Sequence, residues 1–291
     1  MARVSVGVPV YNGARYLQEA LELLVGQTFG DIEIIISDNG SRDATEDICR
    51  SFAARDGRIR YIRHPETSEA SVNFMYLVGQ AQSPYFMWAA NDDGWSLNFI
   101  AALHAALERN ARAVCAQGEC VFIDGSGQVM KRGMPNPQLA DDSCITRVAH
   151  VMRAGPADRF NNMFTYGLHR THLLRRFGIT RILLARGSES TYTELPLLFS
   201  LSAAGHLVSV ADAQFYYRFH SDQCGQEQMS MPDALRLGVG LVATLPGAVW
   251  AGARSPLACA TAVAVVGAGR AKYLAGLANT ILRGADRGPI A

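Results

Sequence analysis

The first 110 or so residues alternate between strand-like and helix-like segments, and no other feature of the sequence constrains the fold as strongly. The strand-like segments are Val4–Val10, Ile32–Asp38, Ile59–Arg63 and residues 85–90. Apolar residues at helical spacing follow each of them, within 15–27, around Ile48 and Phe52, within 72–81, and at Ile100, Leu103 and Leu107. This order predicts an α/β fold of the doubly wound type, a mostly parallel sheet with helices on both faces.

Polar residues follow each predicted strand. They are Tyr11 with Asn12, Asp38, His64, and Asp92 with Asp93. The ligand crevice of a doubly wound sheet lies beyond the carboxyl ends of its strands, so we expect these side chains to meet there.

The acidic pair Asp92 and Asp93 is the most informative of these strand ends, because it directly follows a buried-looking apolar run. Adjacent carboxylates repel each other, and such a pair commonly holds a divalent cation. The alternative is a polar turn in which Asp92 caps a helix that starts near Leu97. The place of the pair at the predicted crevice favours the cation.

The sequence lacks the two common phosphate-binding loops. No GxGxxG follows the first strand, and GxxxxGK[ST] does not occur. A phosphate ligand would therefore be neutralised in another way, and Mg²⁺ or Mn²⁺ held by Asp93 would do so. An ionised Asp38 in the same crevice can only accept hydrogen bonds, which suits a nucleobase or a ribose.

The alternation ends near residue 112, which divides the chain into three predicted parts. Residues 1–111 form the ligand-binding α/β half, and residues 112–231 form the second half of the same domain, with strand-like pieces at 113–116 and 119–123 around a turn at 124–127. We interpret this second half as the wall for a second substrate, with Tyr166, His169 and Arg170 as candidate contacts. Residues 232–291 form an apolar, basic, helical extension.

The extension has an unusual composition, because residues 234–285 contain no Asp or Glu but keep five basic residues. Its uncharged runs are shorter than the roughly 20 residues that a membrane-spanning helix needs. The segment is therefore expected to contact an anionic membrane surface or a second copy of the chain. Packing against its own domain is the alternative.

Composition limits the partners and the compartment. The formal net charge is +1, so no global field attracts nucleic acid. The six cysteines are scattered without a CxxC pair, which is typical of reduced thiols. The start of the chain lacks the long apolar segment of a signal peptide. We expect a cytoplasmic protein, peripheral at the inner face of the membrane if the extension binds lipid.

Three segments together resemble the ordered signatures of family-2 glycosyltransferases with the GT-A fold. They are Val-Pro-Val-Tyr-Asn-Gly at 8–13, Ser-Asp-Asn-Gly-Ser-Arg-Asp at 37–43 and Trp-Ala-Ala-Asn-Asp-Asp at 88–93. The resemblance is densest over residues 3–105 and thinner to about residue 221. It implies an enzyme that takes a sugar from a nucleotide-diphosphate donor.

The resemblance also implies roles for single residues. Those that would bind the donor are Pro9, Tyr11 and Asn12 around the base, Asp38 recognising it, Asn73 near the same pocket, and Asn91 and Asp92 towards the ribose. Asp93 would hold the metal. Ala90 and Asn91 stand where many relatives have another Asp, which weakens the expected metal dependence.

Two segments of the second half continue the resemblance. Thr-Tyr-Thr-Glu-Leu-Pro-Leu-Leu at 191–198 is similar to the segment that carries the family's catalytic base, which would be Glu194 here. Tyr-Tyr-Arg-Phe-His at 216–220 is similar to a segment whose His approaches the metal or the diphosphate, which would be His220. The Gln-x-x-Arg-Trp motif of processive synthases is missing, which favours transfer of one sugar per encounter.

These observations predict an inverting glycosyltransferase assisted by Mn²⁺ or Mg²⁺. UDP or dTDP is favoured, because Asp38 can accept the N3–H of uracil or thymine; guanine also presents donors, so GDP stays open. One alternative is a sugar-phosphate nucleotidyltransferase, although the loop at 11–15 supplies only one Gly and one Arg. The other is a non-catalytic subunit that binds nucleotide sugars.

Overall fold

The computed structural model describes residues 2–154, 159–177 and 194–220. Nine strands are present in this part of the chain: β1 Val4–Val10, β2 Ile32–Asp38, β3 Ile59–Arg63, β4 Tyr85–Trp88, β5 Gly94–Trp95, β6 Ala113–Ile123, β7 Val129–Gly133, β8 Leu168–Arg170 and β9 His206–Arg218. The α-helices are α1 Leu17–Val25, α2 Thr45–Arg55, α3 Ala70–Gln80, α4 Phe99–Arg109, α5 Cys144–Ala154, α6 Arg159–Asn162, α7 Thr171–Phe177 and α8 Glu194–Ala204. The predicted extension at 232–291 lies outside the described residues.

All nine strands belong to one sheet. Its order is β3-β2-β1-β4-β8-β6-β9-β5, with β7 paired to β6. The first four strands are parallel, as their alternation with helices predicts. In the second half β8 runs antiparallel to both β4 and β6, whereas β6 and β9 are parallel. The sheet is therefore continuous across the predicted boundary at residue 112.

Helices cover both faces of the sheet, which confirms the predicted layer arrangement. On one face Val4, Val6 and Val8 of β1 pack with apolar residues of α1, α2 and α4. On the other face Phe86 and Trp88 of β4 pack with residues of α3, α5, α7 and α8. Strands β1, β2 and β4 are buried from both sides, which explains why β2 is an almost continuous apolar run, whereas the edge strand β3 is partly exposed.

Pro9 lies within β1, which continues to Val10 in register with β2 as predicted. One prediction for the second half needs correction. The two strand-like pieces at 113–116 and 119–123 form one strand, β6. The interruption between them is a shift of register after Gly118, where an added Cβ would lie 2.4 Å from the carbonyl oxygen of Ala213. Glycine permits this close approach of two backbones.

No helix within the described ranges is long and apolar enough to cross a membrane.

Candidate functional site

The loops after β1 and β2 are linked by hydrogen bonds. The backbone N–H of Asn12 donates to Ser41 Oγ at 2.9 Å, and Asn12 Oδ1 accepts from the N–H of Arg42 at 2.9 Å. Asp43 accepts from the N–H of Ala14 at 3.0 Å. Asn12 adopts a left-handed conformation with φ of 50°, which asparagine tolerates better than most residues. Two strand ends are thereby joined into one rim of the crevice.

Tyr11 lies on this rim with 44% of its surface exposed, an unusual state for a large aromatic residue. Pro9 is buried within β1, opposite Ser37 of β2. Of these two predicted donor-binding residues, only Tyr11 offers an exposed side chain to a ligand.

Asp38 stands at the predicted strand end, but its side chain is fully buried. Its Oδ1 accepts from the N–H of Ser41 at 2.8 Å, and its Oδ2 accepts from the hydroxyl of Tyr61 at 2.7 Å. Burial and this hydrogen bond raise the pKa of Tyr61, so the phenol stays protonated and donates to the carboxylate. Asp38 thus stabilises the turn that follows β2, and the direct contact with a nucleobase that the resemblance implies stays a prediction.

A cleft of about 340 Å³ opens beside this turn. It is lined by His64, Pro65, Glu66, Ser68, Val72, Asn73 and Tyr76. The Asn73 side chain is oriented by Ser37, because its Nδ2 donates to the Ser37 carbonyl at 3.0 Å and its Oδ1 accepts from Ser37 Oγ at 2.5 Å. The Ser37 hydroxyl proton is then used, so the His64 Nε2 at 2.9 Å must be the donor to Ser37 Oγ. Asn73 and His64 therefore meet at one cleft.

The acidic pair lies in the turn after β4, which ends at Trp88, two residues before the predicted end. Asp93 is 2% exposed. Its Oδ1 accepts from the N–H of Arg218 at 3.0 Å, whereas its buried Oδ2 has no hydrogen-bond partner among the described residues. Burial, and then the charge of Asp92, raise the pKa of Asp93 well above its usual range, while the N–H and the charge of Arg218 lower it.

Asp92 is paired with His220, and it does not cap a helix. Its Oδ2 lies 2.9 Å from the His220 Nε2. Helix α4 begins at Phe99, and its N-terminus has no side-chain cap. The sequence predicts Asp92 at the ribose and His220 at the metal, and both roles stay predictions. The structure brings the two side chains into contact, and the His220 Nδ1 is buried with no partner among the described residues.

Asn91 joins the ends of β1 and β4. A Cβ added at Gly13 would lie 2.5 Å from the Asn91 Nδ2, so only glycine allows the two turns to approach this closely. The predicted residues of the first, second and fourth strand ends therefore share one crevice.

The residues of this crevice fit a divalent cation that is shared with a phosphate ligand. The unpartnered Asp93 Oδ2 is a buried acceptor, and burying it without a donor or a cation is costly. The residues described here contain no group of three or more His, Cys, Asp or Glu side chains that could hold a metal alone. Mg²⁺ and Mn²⁺ do not require such a group, because one or two carboxylates and the phosphates of a substrate suffice.

Arg218 is the site residue that sequence reasoning missed. It is the last residue of β9, and its buried guanidinium lies directly behind the acidic pair. The signal was within the segment that singled out His220, where an arginine precedes the histidine by two residues.

The predicted acceptor contacts His169 and Arg170 both have structural partners within the sheet, so their role in acceptor binding gains no support from the structure. His169 is fully buried in β8, and burial lowers its pKa to about 4. Arg170 lies opposite Tyr85, at the end of β4 remote from the acidic pair, and donates to the carbonyls of Ala113 and Leu107 at 2.8 and 3.0 Å. Both side chains stabilise the sheet and neither reaches the crevice.

Tyr166 differs from these two residues. It is half-buried, and its ring packs against Phe215, with 5.7 Å between the ring centroids. Its role in acceptor binding stays a prediction.

Glu194 is the first residue of α8. Its side chain lies outside the described residues, as do Thr191, Tyr192 and Thr193 before it. The helix itself is anchored in the core through Leu197, Leu198 and Phe199.

Comparison with known proteins identifies the class of this site. The sequence profile of "Glycosyl transferase family 2" matches residues 5–170. The chain therefore belongs to family-2 glycosyltransferases, and the predicted resemblance is confirmed. The match also favours a glycosyltransferase over a sugar-phosphate nucleotidyltransferase.

Curated relatives are also named as glycosyltransferases. An "Uncharacterized glycosyltransferase" of Rickettsia bellii is 30% identical over 153 residues, which are 52% of this chain and 22% of that protein. "Glycosyltransferase GlyG" of Streptococcus pneumoniae is 32% identical over 105 residues, which are 36% of this chain and 35% of that protein. The match thus spans a third or less of most of the relatives' lengths.

Solved structures share the fold at low identity. TarS of Staphylococcus aureus, residues 1–349 in complex with UDP-GlcNAc, superposes with a TM-score of 0.60 at 15% identity, over 86% of this chain and 70% of that one. The mannosyltransferase PcManGT of Pyrobaculum calidifontis, in complex with GDP-Man and Mn²⁺, superposes with a TM-score of 0.57 at 14% identity, over 99% and 76%. These likenesses confirm the GT-A fold.

Proposed function

We propose that this chain transfers a single sugar from a nucleotide-diphosphate donor to a hydroxyl of an acceptor, with inversion at the anomeric carbon. The observation that carries the proposal is the buried, unpartnered Oδ2 of Asp93 at the carboxyl end of β4 in a family-2 chain. No hydrogen-bond donor among the described residues reaches this acceptor atom, and a cation that also binds a donor diphosphate would be a partner for it.

The nucleotide is proposed to bind along the rim and the cleft of the first half. Exposed Tyr11 would cover one face of the base, Asn73 would meet the base in the cleft, and Pro9 and Asn12 would shape the rim. Asp38 is proposed to act on the base through the turn that its carboxylate holds. Asn91 and Asp92 would lie towards the ribose.

The diphosphate is proposed to bind at Asp93, with His220 alongside. A Mn²⁺ or Mg²⁺ ion bound there would neutralise the leaving diphosphate as the sugar departs. His220 is bonded to Asp92 through Nε2, which leaves Nδ1 for the metal or a phosphate oxygen.

Glu194 is proposed as the general base. It would take the proton from the acceptor hydroxyl, which attacks the anomeric carbon from the face opposite the diphosphate. The rigid attachment of α8 supports this role, because a base must be held in place: Arg147 donates to the carbonyl of Ser202 near the end of the helix at 2.7 Å. Tyr166 is the acceptor contact that we retain.

UDP or dTDP is the proposed donor nucleotide. The TarS structures with UDP and UDP-GlcNAc support this, and PcManGT with GDP-Man and Mn²⁺ supports a GDP sugar as the alternative and a divalent cation as a partner. The protein is proposed to act in the cytoplasm, with residues 234–285 contacting the inner face of the membrane or a second copy of the chain.

Release of the nucleoside diphosphate tests the proposal. The purified full chain is incubated with UDP, dTDP and GDP sugars, each with Mn²⁺, Mg²⁺ or EDTA, and the free nucleotide is quantified. We expect release with one class of donor and little release with EDTA. Binding of the donor without any release, also in the presence of candidate acceptors, would instead favour a non-catalytic subunit.

A further inference from the structure

Arg218 is a buried cation next to the acidic pair, and the proposed reaction gives it no part. Its side chain is 4% exposed. A guanidinium keeps its proton in proteins, so a buried arginine needs partners for both its charge and its donors. The identity of those partners therefore indicates what the residue does.

The partners of Arg218 come from two separate elements of the first half. Its Nε donates to the backbone carbonyl of Asp92 at 2.9 Å, and its own backbone N–H donates to Asp93 Oδ1 at 3.0 Å. Its Nη2 donates to Glu19 of α1 at 2.8 Å. The guanidinium carbon lies 4.7 Å from the centre of the Tyr16 ring, just before α1. Arg218 thus connects the acidic turn to helix α1.

These contacts determine the orientation of the acidic pair. The bond to the Asp92 carbonyl fixes the peptide between the two acids. The N–H of Arg218 fixes Oδ1 of Asp93, and Oδ2 is the oxygen to which no group in the described part of the chain donates. His220 follows two residues later and meets Asp92, with its ring 4.9 Å from that of Tyr16. The end of one strand therefore sets the positions of two carboxylates and an imidazole.

We propose that Arg218 is a positioning residue, which holds Asp92, Asp93 and His220 in the arrangement that receives the diphosphate and its cation. This role rests on the proposed function. It requires the fork of a guanidinium, because a lysine ammonium is a point charge that cannot bond the Asp92 carbonyl and Glu19 in the same geometry.

Arg218→Lys is the decisive variant, and Arg58→Lys is its control. Arg58 also donates to a backbone carbonyl, that of Val25 at 2.9 Å, and also pairs with a carboxylate, that of Asp56, but it precedes β3 at the end of the sheet opposite the crevice. We expect Arg218→Lys to raise the Mn²⁺ concentration for half-maximal nucleotide release about 10-fold or more and to lower kcat by a similar factor, as loss of outer contacts at a metal site does. The control should lose comparable thermal stability and keep both quantities within about twofold.

A second readout does not depend on turnover. The His220 ring nitrogens are observed by ¹⁵N NMR without metal or nucleotide, and the signal of the Nε2–H bonded to Asp92 should be lost in Arg218→Lys and kept in Arg58→Lys. If the wild type released no nucleotide, the proposed function would fail, and this comparison alone would decide the role of Arg218. Retention of the His220 signal and of the Mn²⁺ response in Arg218→Lys would overturn it.

Glu19→Gln covers the case in which Arg218→Lys does not fold. The Glu19 side chain is 57% exposed, so its replacement leaves the core intact and weakens only the outer contact of Arg218. We expect a smaller rise in the Mn²⁺ requirement in the same direction. An unchanged Mn²⁺ requirement together with an unchanged His220 signal would count against the proposal.

Discussion

The two halves of the sheet contribute to the crevice in different ways. In residues 2–109 each of four parallel strands leads through a loop into a helix, and the site residues follow the strands one loop at a time. In residues 113–220 the strands β6 and β9 are 11 and 13 residues long, and the end of β9 alone brings Arg218 and His220 to the acidic pair. The regular half supplies the acids and the rim, and the irregular half supplies the residues that hold the acids.

The two halves therefore have different roles: the first supplies the reactive carboxylates, and the second orients them. A turn with two adjacent carboxylates is electrostatically unfavourable alone, because the two charges repel each other. Within the described residues, the hydrogen bonds that reach Asp92 and Asp93 from beyond the turn come from Arg218 at the end of β9 and from His220 just after it. Substitutions in either half should therefore impair the same reaction. Those in the first half remove a binding group, and those at the end of β9 displace one.

Replacing Asp93 should have the largest effect, because it removes the carboxylate that is proposed to bind the divalent cation. Asp93→Asn keeps an oxygen for the N–H of Arg218 but loses the charge, and we expect turnover to fall by about 10³-fold, the loss of about 4 kcal/mol of transition-state stabilisation. Nucleotide release with Mn²⁺ measures the effect. The fold should be at least as stable as in the wild type, because burial raises the pKa of Asp93 and the amide carries no buried charge.

Asp142→Asn is the matched control for Asp93. Its carboxylate is 76% exposed and pairs with Arg112, away from the crevice. Turnover of the control should stay within about twofold of the wild type. Normal turnover in Asp93→Asn would contradict the cation site and leave the acidic turn as a structural feature.

The first half is also the part of the fold that the sequence predicted best. The bounds of β1, β2 and β3 agree with the prediction. β1 and β2 are covered on both faces and are mostly apolar along their length, and Gly, Asn and Asp lie near the strand ends. The second half was predicted less well, because Gly118 breaks the apolar pattern of β6 without ending the strand. A pattern cannot distinguish a bulge from a loop when the partner strand is unknown.

The site residues were also predicted better in the first half than in the second. The strand order predicted that Tyr11, Asn12, Asp38 and the acidic pair lie at one edge of the sheet, because topology alone determines this. The pairing of Asp92 with His220 joins residues 128 positions apart, and no local pattern predicts it. The burial of His169 depends on β4 and β6 flanking its strand, so its sequence context could not reveal it.

Replacing Glu194 sharpens the comparison, because it tests whether the second half also supplies chemistry. Glu194→Gln should lower kcat by about 10²-fold or more while donor affinity stays near that of the wild type, since only the proton acceptor is lost. Glu194→Asp should keep partial activity. The assay is sugar transfer to an acceptor, with donor binding measured separately. Normal transfer by the Gln variant would exclude Glu194, and Glu189 would be tested next.

Replacing His169 tests whether a buried side chain of the second half, remote from the crevice, contributes to the stability of the sheet. Its pKa of about 4 in the folded state lies below the usual value near 6.5, so the unfolded state binds more protons between these pH values. Stability is therefore full above about pH 6.5 and falls towards pH 4.

The wild type should accordingly lose about 2 kcal/mol of unfolding free energy between pH 7 and pH 5 through this residue, and His169→Gln should lack that loss. Urea unfolding at the two pH values measures the difference between the two proteins. Equal pH dependence of both would contradict the buried neutral imidazole, and a large change in acceptor affinity would restore His169 as a binding residue.

The smallest effect concerns Asp38, where the two roles of the first half, holding a turn and binding a ligand, can be separated. The carboxylate bonds the N–H of Ser41 and the hydroxyl of Tyr61, so Asp38→Asn and Tyr61→Phe each disturb the same turn. Because a net hydrogen bond contributes about 1 kcal/mol, we expect Asp38→Asn to weaken UDP binding about 10-fold and Tyr61→Phe about 3-fold, measured by calorimetry without metal.

If Asp38 instead contacts the base directly, the two variants should differ in their affinity for UDP. Tyr61→Phe would remove the hydroxyl from Oδ2 and leave there only Arg63, whose Nε lies 3.7 Å away, so binding would be unchanged or tighter, while Asp38→Asn alone lost affinity. That result would place Asp38 in contact with the base.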